Sequence, residues 1–126
     1  MLLMLPQAYS QAYQNLLTAL EDLKHITAPA NFESTSVKKS FQKLQRIYET
    51  EILILNKEAL VGAIPPRWQA IQTEIHRAFK LMSMDMMFLA SAKKATTSQS
   101  RLTNLSDRLS QLIGYCQILL GDEEQV

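Results

Sequence analysis

Residues 68–92, WQAIQTEIHRAFKLMSMDMMFLASA, decide the fold. Apolar side chains recur there at Trp68, Ile71, Ile75, Phe79, Met82, Met86 and Leu89. Steps of three and four keep them on one side of an α-helix, whereas a strand would need steps of two. Leu81, Met84 and Phe88 form a second apolar set that widens the stripe in the C-terminal half. At 1.5 Å per residue the rod is roughly 38 Å long. A helix with so much apolar surface is stable only when other elements cover it, so the remaining segments must pack against it.

The same periodicity holds on both sides of this rod. Towards the N-terminus, Tyr9, Tyr13, Leu16, Leu20 and Leu23 repeat at steps of four and three, with Leu17 alongside. Pro6 suits the first turn because its missing N–H would be unpaired there anyway. Next, Val37, Phe41, Leu44, Tyr48, Ile52 and Leu55 make an inner face, after Ser34 and Thr35 as candidate caps. At the far end Leu102, Leu105, Leu109, Leu112, Cys116 and Leu119 keep the steps without a miss, and Ile113 and Leu120 broaden them into a bundle face. Pro29 and Asn31, the Gly62–Pro65–Pro66 segment, and the polar stretch 93–100 break the chain between rods. Helices are therefore expected over about 6–25, 35–56, 66–93 and 98–120, with Gly121 just beyond the last. Four amphipathic helices on short links predict a single all-α domain, an antiparallel four-helix bundle.

Composition narrows the function. The 126 residues are 47% hydrophobic and 20% charged, which fits one folded domain. A formal net charge of +1 gives no global field to draw nucleic acid. The lone Cys116 excludes an intramolecular disulfide and, inside an apolar stripe, is expected to be a small core residue. The opening MLLML has no basic segment before it and meets Pro6 at once, so it lacks the pattern of a signal peptide. No run approaches the roughly 20 apolar residues of a membrane span. These features together predict a cytoplasmic protein with no integral membrane segment.

No constellation for catalysis, cofactor binding or metal binding stands out. The positions three and four residues from His76 are Gln72, Thr73, Phe79 and Lys80, so no helical metal pair forms. Catalytic, cofactor and metal residues are expected to be none, and the protein to be no enzyme. A histidine-phosphotransfer bundle with His76 as acceptor is the alternative, although Phe79 and Lys80 stand where such bundles tend to have Lys and Gly. A structural subunit of a helical assembly is another. Asp85 interrupts MSMDMMF, and pairing with Arg101 or Arg108 would offset its burial. The Met82–Met87 cluster is expected to fill core gaps. Lys38, Lys39, Lys43 and Arg46 line one side of the second helix, and Arg77 and Lys80 lie on the third. These six are the candidate contacts to an acidic protein partner.

The run TEIHRAFKLMSMDMMFLASAKKATTSQSRLTNLSDRLSQLIGYCQILL, residues 73–120, resembles the cyanobacterial heterocyst frequency control protein PatD family. The segments LPQAYSQAYQNLLTALEDL and NFESTSVKKSFQKLQRIYETEI are also similar to it. The resemblance implies a small helical regulatory protein that controls heterocyst frequency and differentiation. It also implies binding to the cell-division protein FtsZ, with modulation of its assembly. The family has no catalytic residues to carry over.

Overall fold

A computed structural model of the chain describes residues 7–27, 34–53, 66–91 and 95–124. Among them every regular element is helical: α1 Gln7–Ile26, α2 Ser34–Ile47, a π-helical turn Tyr48–Ile52 continuing α2, α3 Pro66–Ser91 and α4 Ala95–Glu124. The MLLML segment, the end expected for the second helix at 54–56, the Gly62–Pro65 connection and Lys93–Lys94 lie outside the described residues.

The core forms where the spacing placed it. Tyr13, Leu16, Leu20 and Leu23 of α1 are fully buried, and so are Leu105, Leu109, Leu112, Cys116 and Leu119 of α4. Burying one such leucine contributes about 1.5–3 kcal/mol, so these two rows supply a large share of the apolar driving force. α1 packs on α2, on the π turn and on α4, while α3 packs on α4. α2 meets α3 through stacked rings: Phe41 and Phe79 lie 6.4 Å apart, Tyr48 and Phe79 4.0 Å apart. Each helix thus touches two others around a common core.

Local chemistry explains the ends and the irregularity. α1 closes with Lys24 and His25 in its last turn, where cations suit the helix dipole. Thr27 then donates its hydroxyl to the Lys24 carbonyl at 2.8 Å, satisfying a group the helix leaves free. In α2 the buried positions Leu44, Tyr48 and Ile52 are spaced by four and four. That spacing overshoots the ordinary helical turn, and a wider turn returns the side chains to one line. The π turn supplies it, and the Leu53 N–H closes it by donating to the Tyr48 carbonyl. The turn also places Glu51 to accept a 2.9 Å hydrogen bond from Asn15 of α1.

Three expectations need correction. α4 starts at Ala95 rather than 98 and runs to Glu124, so Gly121 lies within the helix instead of terminating it. The Gly121 φ is not left-handed, and the space around it is open, so nothing there requires a glycine. The second apolar set of α3 does not widen the core stripe. Leu81 is half-buried, and Met84 and Phe88 are exposed at 49% and 44%. The methionine cluster divides: Met82 is buried and Met86 half-buried, but Met87 is 70% exposed.

Candidate protein-interaction surface

Charge is unevenly shared among the helices. α2 and α3 carry seven Lys and Arg residues against two acids, Glu74 and Asp85. α1 and α4 carry three against six. The near-zero net charge therefore conceals an excess of cations on α2 and α3. On the cationic side Lys38, Lys39, Lys43, Arg46, Arg77 and Lys80 are all exposed. Glu74 is half-buried and Asp85 buried, so neither α2 nor α3 presents an exposed acid among the described residues. Just past the end of α2, Glu49 of the π turn is exposed and accepts a 3.5 Å contact from Gln45.

The structure brings Arg77 and Lys80 onto the same face of α3 as Met84, Met87 and Phe88. The steps between successive members are three, four, three and one, so the five form one strip along the helix. From α4, the Arg101 guanidinium lies 4.5 Å above the Phe88 ring. Met87 was expected in the core and Arg101 as one of two partners for Asp85; Met87 is instead exposed and Arg101 lies over Phe88. One signal for them was present in the sequence: from Met84 to Phe88 there are more apolar residues than one buried stripe can hold.

Asp85 finds its cation in Arg108, with Nε 3.5 Å from Oδ2. Both of these atoms are buried without a hydrogen bond of proper geometry, so the contact is an ion pair only. It floors an open cleft of about 550 Å3 between α3 and α4, also bordered by Asn104, Asp107 and Gln111. Arg108→Met would leave the Asp85 carboxylate without a cation. With Arg108 partly solvated, the expected cost is about 1–3 kcal/mol in a urea titration. The double substitution Asp85→Leu/Arg108→Met should recover most of that. Simple addition of the two single effects would show that the groups do not couple.

His76 is half-buried, and its Nδ1 lies 2.6 Å from the Tyr48 hydroxyl. Burial pushes the Tyr48 hydroxyl up to about 12, so it stays protonated at neutral pH and donates. Nδ1 is then the acceptor, which places the proton of a neutral imidazole on Nε2. The ring joins α3 to the π turn. No group of three or more His, Cys, Asp or Glu side chains among the described residues converges as metal ligands would. Cys116 is wholly buried, and burial raises its thiol to about 12, which leaves no thiolate near neutral pH. Among the described residues no helix is long and apolar enough to cross a membrane.

These features define a class: an all-helical domain with a mixed cationic and apolar outer face. A family model described as CRR41 C-terminal domain matches residues 17–116, from within α1 to near the end of α4, and the chain belongs to that family. No curated protein and no solved structure matches the chain.

Proposed function

We propose that the protein is a non-enzymatic regulator that acts by binding a protein partner through the cationic side formed by α2 and α3. The observation that carries this is the set of six exposed cations on two adjoining helices, with Glu49 at the end of the α2 row the one exposed acid near them among the described residues. Such a surface steers an acidic partner and fixes its orientation. The resemblance to the PatD family supplies the partner: the cell-division protein FtsZ, in the cytoplasm, with an effect on heterocyst frequency. We propose further that the four helices form an antiparallel bundle. Two sets of contacts support it. Asp85 meets Arg108 while Phe88 meets Arg101, and Phe41 meets Phe79 while Tyr48 meets His76. In each set, advancing along one helix means retreating along the other. The phosphotransfer alternative draws no support from an imidazole that is half-buried and already engaged by Tyr48.

Co-sedimentation with polymerised FtsZ tests the partner. The wild-type chain should pellet with polymer at low salt and less so as salt rises. Lys39→Glu/Lys43→Glu/Arg46→Glu and Arg77→Glu/Lys80→Glu should each reduce the pelleted fraction without lowering the melting temperature. Undiminished pelleting by both variants would remove the cationic side as the contact.

A further inference from the structure

We infer that the strip from Arg77 to Phe88 on α3 is a docking site for a helical partner segment that carries carboxylates at one end and apolar anchors at the other. This rests on the proposed function in taking the partner to be a protein, and it states which part of that protein is recognised.

The strip has an order. Arg77 and Lys80 come first along the helix, one turn apart and both exposed. Met84, Met87 and Phe88 follow, 49%, 70% and 44% exposed. Met84 neighbours both of the others on the helix surface, so the three form one apolar ridge and not scattered side chains. Methionine is flexible and polarisable, and serves well on surfaces that fit themselves to an apolar guest. Arg101 sets its guanidinium 4.5 Å over the Phe88 ring, which ties the apolar end of the strip to α4.

Charge decides the occupant. The fully exposed charges on α3 are all positive: Asp85 is buried and matched by Arg108, and Glu74 is half-buried. A second copy pairing α3 against α3 would bring cations to cations or to methionines, and no carboxylate to either. A lipid surface fits less well. The apolar part spans little more than one turn, too short a ridge to hold a helix in a bilayer surface. A helical segment with Leu or Phe at positions i, i+3 and i+4 interlocks with such a ridge, side chain between side chains. Its carboxylates, placed two turns away, meet Arg77 and Lys80.

NMR titration of the isotope-labelled full chain tests this with two synthetic helical peptides. One carries Glu and Asp at one end and Leu and Phe at i, i+3 and i+4 at the other. The second has Gln and Asn in place of the acids. The expected result is saturable amide shifts at Arg77–Phe88 and at Arg101 with the acidic peptide, and weaker binding by the amidated one. Met87→Glu should weaken the acidic peptide about tenfold or more, with an unchanged melting temperature because Met87 is mostly in solvent. The inference falls if the two peptides bind equally, if the shifts map elsewhere, or if none appear at millimolar peptide. It falls equally if phosphatidylglycerol vesicles capture the chain through Met87 and the peptides do not bind. FtsZ separates this site from the partner's identity. If FtsZ pelleting is indifferent to Met87→Glu, the strip is discarded and the FtsZ reading stands. If the peptide binds the strip but FtsZ does not pellet the chain, the strip stands and the FtsZ reading is discarded.

Discussion

Tyr48→Ala is expected to lower the unfolding free energy by about 3–5 kcal/mol, the usual cost of deleting a buried aromatic side chain. Three losses combine at this position. The ring is 3% exposed and lies 4.0 Å from the Phe79 centroid with only 9° between the planes, so its removal opens a hole between α2 and α3. Phe79 is stacked in turn on Phe41 at 6.4 Å, and that pair would lose its inner support. The hydroxyl is the donor to His76 at 2.6 Å, so the imidazole nitrogen would lose its protein partner. Tyr48→Phe separates these effects. It keeps the stack and drops the hydrogen bond, for which about 1 kcal/mol is expected. Urea titrations monitored by circular dichroism measure both. If alanine cost no more than phenylalanine, the aromatic column would not be what joins α2 to α3. A loss of this size consumes a large part of a small domain's total stability, about 5–15 kcal/mol. The alanine variant should then also fail in any partner assay, which is why it cannot serve to map the interaction surface.

How far the sequence disclosed this arrangement depended on how many apolar sets each helix carries. In α4 the steps of three and four from Leu102 to Leu119 identify one buried line, and all six residues are buried. α1 behaves likewise from Tyr9 to Leu23. α3 was ambiguous because its C-terminal half offers two apolar sets, and periodicity does not say which faces inward. Met84 and Phe88 lie about 160–200° round the helix from Trp68, too far to join the stripe that Trp68, Ile75, Met82 and Leu89 bury. Only the positions of α2 and α4 settle the choice. The π turn was hidden for a related reason. Spacings of four at Leu44, Tyr48 and Ile52 are also compatible with an ordinary helix, and a hydrogen bond from Leu53 to Tyr48 has no signature in residue type. The exposed cations were legible as a list. Their juxtaposition with Met87 and Arg101 was not, because it requires knowing that Phe88 remains outside.

Alkaline pH is expected to unfold the chain, beginning from three buried acids of the weak kind. Burial raises the Cys116 thiol from its ordinary 9.0 to about 12, and the Tyr48 hydroxyl from 10.0 to about 12. Burial is also the first cause at Tyr13, whose hydroxyl rises well above the ordinary phenol range, with the nearby Cys116 adding to it. Gln72 pulls that value back slightly, yet Tyr13 Oη and Gln72 Nε2 both lack a hydrogen bond of proper geometry. In every case the folded chain keeps a proton that the unfolded chain has released. The unfolded state binds fewer protons, so stability falls as pH rises. The contribution is intact below about 9, the unfolded thiol value, and the decline steepens once the unfolded phenols ionise near 10. It continues until the folded groups themselves ionise, at about 12 for Cys116 and Tyr48. At about 1.4 kcal/mol per pH unit for each group, the three together remove several kcal/mol, enough to threaten a domain of this size. The thermal midpoint measured in steps of pH should therefore hold steady around neutrality and drop through that window. Tyr13→Phe is the informative comparison. It deletes a hydroxyl without a well-formed partner, so it should cost little at neutral pH and should move the alkaline decline upward. A wild-type midpoint that stayed level into the phenol range would mean that these groups reach water in the folded chain, and that the contacts between α1, α4 and the π turn are looser than their burial implies.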